Sequence, residues 1–161
     1  MDELTPRDGS PAIEDPEKPT DPRELVLWFA RSQLGKIDAR AYWLDAWGQL
    51  PEHALAWCGV FALWCLRQAQ ITDWRWVLGK GFAYKLGRAK VPLRGDIAYF
   101  DKPYQHHALV VECQGDALRL IQGNYGVPGR VSLSLVSVKA KHPAYYSLAR
   151  LLLAPPPSAP P

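Results

Sequence analysis

Three side-chain types in this chain could together open an amide bond: a thiol, an imidazole and a carboxamide that orients the imidazole. Cys58 follows Ala56-Trp57 and precedes the apolar run Gly59-Val60-Phe61-Ala62-Leu63-Trp64-Cys65-Leu66. That run is apolar on almost every face, so it predicts a central buried helix over about 57–70, with Cys58 in its first turn. A thiol there feels the positive end of the helix dipole and unpaired backbone N–H groups, and both favour thiolate. Thiolate is the nucleophilic form, so an enzyme would place a catalytic cysteine here. The competing reading is a small buried hydrophobe, the ordinary fate of a free cysteine. Cys65, well inside the same helix, and Cys113, at a strand end, fit that second description.

A thiol nucleophile needs a base. His106 and His107 open the most apolar strand, Gln105-His106-His107-Ala108-Leu109-Val110-Val111. Neighbours on a strand face opposite sides, so only one of the two rings can meet Cys58. If Ala108 and Val110 face the helix, His106 shares that face; the other parity selects His107. His53 and His142 sit in turn-like surroundings and read as surface residues. Asn124, in Ile121-Gln122-Gly123-Asn124-Tyr125-Gly126, follows the next strand, where an amide oxygen can accept the imidazole N–H and fix the ring. The same residue in a glycine-rich segment is also a common turn former. Asp96 reads as a strand-entry residue with no catalytic part.

These residues need elements to carry them. Asp21-Pro22-Arg23-Glu24 combines a cap, a proline at the first helical position and a box-like acid, so a helix starts there and Gly35 is a plausible stop. A second helix is expected over about 39–47, broken by Gln49-Leu50-Pro51-Glu52. The segment 72–93 reads as an irregular connection with one short helix. After Arg94 the period of the apolar residues changes from 3.6 to 2, giving strands over 96–100, 106–113, 117–122, 131–138 and 145–152. Gln114-Gly115-Asp116 makes a tight hairpin between the second and third. Helices first and meandering strands afterwards define an α+β domain, an antiparallel sheet packed on the helix that carries Cys58.

The rest of the chain bounds the function. Residues 1–22 hold seven acidic residues, two basic ones and five prolines, and are expected to be a disordered arm. Residues 154–161 are nearly all proline and alanine and read as an extended tail. The folded unit, and with it any catalytic domain, is therefore expected over 23–153. Residues 23–161 carry 17 Lys+Arg and 9 Asp+Glu, a net of 17 − 9 = +8, which favours anionic partners. No basic run with interleaved aromatics points to nucleic acid. Three cysteines at irregular spacing give neither a disulfide framework nor a zinc site, so no metal or other cofactor is expected. No apolar run is long enough to span a bilayer, and the start, Met-Asp-Glu-Leu, lacks the apolar segment of a secretory signal. The expectation is a chain made in the cytoplasm, with another agent to deliver it elsewhere.

Taken in order, Ala56-Trp57-Cys58-Gly59-Val60-Phe61 with Trp64-Cys65-Leu66, Arg94-Gly95-Asp96-Ile97-Ala98-Tyr99-Phe100, His106-His107-Ala108-Leu109-Val110 and Gln122-Gly123-Asn124 form a distinctive set. The set resembles the cysteine/histidine-dependent amidohydrolase/peptidase (CHAP) family, a branch of the papain-like peptidoglycan hydrolases. The resemblance covers about residues 25–150. It implies a papain-like fold and a Cys–His–Asn mechanism with Cys58 as nucleophile, His106 as base and Asn124 as the residue that orients it. The chain departs from the pattern at His107, where an aliphatic residue is usual, so the base assignment is open by one residue.

The reaction implied is cleavage of an amide in cell-wall peptide, as an N-acetylmuramoyl-L-alanine amidase or an endopeptidase. Trp57 and Tyr125 are the expected substrate contacts, and Trp64 is expected in the core. A signal-less wall hydrolase fits a phage lysin or an exported antibacterial effector, the second with an immunity or delivery partner. Two other readings stand beside it: a non-catalytic wall-binding module that keeps the groove, and a thiol protease or deamidase acting on protein.

Overall fold

A computed structural model describes residues 17–153. Most of the expected arm (1–16) and the whole expected tail lie outside the described residues. The first helix, α1 (Pro22–Ser32), begins as its sequence predicts: the Asp21 carboxylate accepts the Glu24 N–H at 3.0 Å and Pro22 opens the first turn. Val26, Leu27 and Ala30 form its buried face. The short α2 (Arg40–Ala46) buries Tyr42, Trp43 and Ala46. Next comes α3 (Cys58–Gln68), in which every residue from Cys58 to Leu66 except Trp64 is buried. Its all-round apolarity has a simple cause: α1 and α2 cover one side, and the sheet covers the other.

The six strands are β1 (Gly87–Ala89), β2 (Ile97–Phe100), β3 (His106–Gln114), β4 (Ala117–Tyr125), β5 (Arg130–Ser137) and β6 (Ala144–Ser147). They form one antiparallel sheet in the order β1-β6-β2-β3-β4-β5. The molecule is therefore α+β, with α1, α2 and α3 on one face of the sheet. Ile97, Leu109, Val111, Ile121 and Val131 point into the main core with α1, α2 and α3. Ala98, Phe100, Ala108, Val110, Leu118 and Leu120 form a smaller cluster with Tyr145 on the opposite face. Two small helices, α4 (Val138–Lys141) and α5 (Ala149–Leu153), flank β6.

Two expectations are corrected. The segment 72–93 holds no helix; it runs through turns and the three-residue β1, and packs Trp74, Trp76 and Phe82 against the core. The strand expected over 145–152 ends at Ser147. There Leu148 donates its N–H to Asp96 (2.9 Å) and the Ser147 hydroxyl accepts from Ala149 N–H (3.1 Å), which turns the chain into α5. Asp96 is fully buried and also accepts from Arg23 (2.6 Å) and from the Leu93 N–H (2.8 Å). One carboxylate thus ties α1, the entry to β2 and the β6–α5 turn together. No described helix is long and apolar enough to cross a membrane.

Candidate active site

Cys58 is the first residue of α3, and its sulfur lies near the start of β3, close enough for the backbone N–H of His107 to favour the thiolate. The ladder explains why that N–H is available. Val110 exchanges both its backbone bonds with Gly95 and Asp96 on the β2 side. Alternate residues of a strand reach opposite ways, so the N–H groups of Leu109 and His107 point toward β4. Pairing of β3 with β4 starts only at Leu109 with Ile121, leaving the His107 N–H beyond the ladder's end. That open N–H is the one that acts on the thiol.

The thiol is only 5 % exposed, and burial pushes its pKa above the ordinary value of 9.0. The N–H groups of His107, Gly59 and Cys58 itself pull the other way without outweighing it. At neutral pH Cys58 is a thiol, which corrects the expectation of a resting thiolate: the helix terminus helps, but desolvation is larger. Trp76 lies directly over Gly59, so close that a side chain at that position would overlap the ring.

The two histidines point to opposite faces of the sheet. Leu109 and Val111, not Ala108 and Val110, turn toward α3, because the larger core is on that side. His107 shares that face, so strand parity selects His107, not His106, as the ring on the side of Cys58. Its ring is boxed by Tyr99, Phe82 and Trp76 at centroid distances of 5.1, 5.3 and 5.6 Å. Burial, with a smaller contribution from neighbouring His106, pushes its pKa down to about 4.

His106 lies on the opposite face, and its Nε2 is 2.6 Å from Gln122 Oε1. The Gln122 amide nitrogen donates to the Ser134 hydroxyl, which turns the amide oxygen toward the ring. Nε2 therefore carries the proton, and Nδ1 keeps its lone pair. Burial lowers the His106 pKa below 6.5, partly opposed by the bond to Gln122. The ring is neutral at pH 7, oriented, and able to accept a proton. Neither imidazole is hydrogen-bonded to the Cys58 thiol.

Asn124 does not orient either histidine; Gln122 does. Extending the Leu109–Ile121 register would put Asn124 opposite His106, with Gln122 on the diagonal, within reach of a long side chain. Instead β4 is irregular between Gln122 and Tyr125, Asn124 adopts a left-handed backbone (φ +55°), and its amide oxygen leans on Gly129 of the following turn. The missed signal was the alternation Leu118, Leu120, Gln122, which puts the glutamine on the His106 face.

Trp57 is also corrected. It is 7 % exposed, stacked on Tyr42 at 5.7 Å, and pressed so close to Gly123 that a Cβ there would lie 2.7 Å from its ring. It is core, with no surface to offer a ligand. Tyr125 is 46 % exposed, and its ring centroid lies 6.3 Å from that of His106.

Asn124, Tyr125, His106 and Gln122 line one cleft of about 410 Å³ on the face away from α3. Phe100, Leu120 and Val136 supply apolar wall, while Lys102 and Lys141 add positive charge. Among the described residues no three His, Cys, Asp or Glu side chains gather in a way that could hold a metal ion. Compared with family models, curated proteins and solved structures, the chain finds no match.

Proposed function

We propose that this chain is a thiol amidohydrolase of papain-like, CHAP type that cleaves an amide in the peptide of bacterial cell wall. The observation that carries the reading is the juxtaposition at the start of β3. The His107 N–H lies beside the Cys58 sulfur and favours its thiolate, and the preceding residue, His106, presents a neutral imidazole fixed through Nε2. The motif set of the sequence supports the same chemistry, and the basic body suits a wall rich in carboxylates.

In this scheme the thiol, beside the start of β3 where pairing with β4 has not yet begun, moves round that open end of the ladder toward His106 when substrate binds. The sulfur attacks the scissile carbonyl carbon while its proton passes to His106 Nδ1. The resulting oxyanion is met by backbone N–H groups at the start of α3, including that of Cys58. Collapse expels the amine, which takes the proton back from His106. A water deprotonated by the same nitrogen then opens the thioester, releasing the acid and restoring the thiol. Gln122 keeps the ring aligned throughout.

Purified protein and its Cys58→Ala form, incubated with peptidoglycan and followed by mass spectrometry of the released muropeptides, test the proposal. New amino termini from the wild type alone support it. Binding to wall without cleavage would mean a non-catalytic module, and indifference to wall would favour a thiol enzyme acting on protein. His107 has one claim to the base's part, since it shares the face of Cys58. Loss of turnover in His107→Ala with His106→Ala still active would transfer the role.

A further inference from the structure

We propose that the cleft beside His106 captures its peptide through a carboxylate held between Lys102 and Lys141, an inference that rests on the amidohydrolase reading of that cleft. The two lysines come from separate elements, Lys102 from the β2–β3 connection and Lys141 from the end of α4. Both line the cleft, and no Asp or Glu does. Neither lysine has an ion-pair partner among the described residues.

Two acids of the adjoining elements have partners of their own. Asp116 accepts from the Ser137 hydroxyl and the Lys139 N–H at the base of α4, and Asp101 lies beside the Tyr99 hydroxyl. The remaining polar groups of the wall carry no charge: His106 is neutral, and Gln122 spends its amide on His106 and Ser134. The cleft therefore offers an apolar floor, aromatic rims and two uncompensated ammonium groups. A ligand that matches it has an uncharged body and an anionic head, and a cationic head is repelled. For a peptide that head is a carboxylate.

The test uses the full chain carrying Cys58→Ala, so that the ligand survives, and calorimetric titration at low salt. The probes are the stem peptide L-Ala-γ-D-Glu-L-Lys acetylated at both its amines, the same peptide with both carboxylates amidated, and the two singly amidated forms, which tell a side-branch carboxylate from a terminal one. The free acid should bind roughly tenfold tighter than the doubly amidated form. That advantage should vanish in Lys102→Gln/Lys141→Gln and shrink as salt is raised. Equal affinity for acid and amide, an unaffected double variant, or no binding at all would overturn the proposal. In the otherwise native enzyme the same pair of changes should raise KM with kcat held. Binding that obeys these rules in a protein that never cleaves the peptide would sink the hydrolase reading and leave the carboxylate site standing.

Discussion

At the proposed active-site residues, burial depresses two ionisations. Burial raises the Cys58 thiol above 9.0 and lowers the His106 imidazole below 6.5, so the resting pair is neutral on both members. Attack then requires unprotonated imidazole and protonated thiol together. The profile of kcat/KM against pH should have its acid limb below 6.5, where His106 takes a proton, and its alkaline limb above 9, where the thiol loses the proton destined for the leaving amine. A maximum confined below pH 6 would contradict the neutral pair. Gln122 offers a sharper check. In Gln122→Glu a carboxylate beside Nε2 favours the imidazolium, so the acid limb should move to higher pH. In Gln122→Ala the bond that raises the pKa is lost. The limb should move lower, and kcat should fall on the order of 10- to 100-fold as the ring loses its orientation. Identical limbs in the three proteins would remove Gln122 from the mechanism. Cys58 was legible in the sequence because a helix start is a local feature. Gln122 was not, since its role depends on how β4 departs from regular register beyond Ile121.

At the scale of elements, close approach decides more than propensity does. Gly59 lies in α3, where alanine would ordinarily add about 1 kcal/mol of helix stability. Trp76 occupies the space a methyl group would need, and the ring is itself packed on Phe82 and His107. Gly59→Ala should therefore destabilise the protein, by about 1–3 kcal/mol in urea unfolding, with the overpacking larger than the propensity gain. A stabilised variant would show that Trp76 moves aside freely. The Asp96 junction carries a second test: Arg23→Ala leaves a buried carboxylate with only backbone donors, and should cost roughly 3 kcal/mol. The elements themselves were mostly legible. Capping residues announced α1, the apolar run announced α3, and two-residue alternation announced the strands from Ile97 onward. The exception around Leu148 is instructive. Its apolar neighbours Leu151 and Leu152 continue a pattern that suits strand or helix, and a tertiary contact, the Leu148 N–H to Asp96, settles the matter for a turn and α5. Which face of β3 meets the helices was equally beyond local reading, because Ala108/Val110 and Leu109/Val111 are both apolar sets.

The whole molecule bears the consequence of seating His107 between the sheet and its aromatic cover. In the folded protein its pKa is about 4; exposed in the unfolded chain it returns to about 6.5. Between those values the unfolded chain binds a proton that the folded protein refuses. Stability from this group is thus complete above pH 6.5, declines as the pH falls toward 4, and loses nothing further below it. A separation of about 2.5 units corresponds to a loss on the order of 3 kcal/mol, a large share of the stability of a chain this size. His106, whose pKa is also lowered by burial, adds in the same direction. Urea unfolding followed by tryptophan fluorescence at pH 7.0, about 5.5 and about 4.5 should show the wild type weakening steadily. His107→Leu keeps an apolar side chain inside the box of Tyr99, Phe82 and Trp76, and should weaken by about 2 kcal/mol less over that range. The residual slope of the variant would then report His106 and the carboxylates. Parallel lines for the two proteins would mean that water reaches the His107 ring in solution, and with it the neighbourhood of Trp76 and the Cys58 thiol.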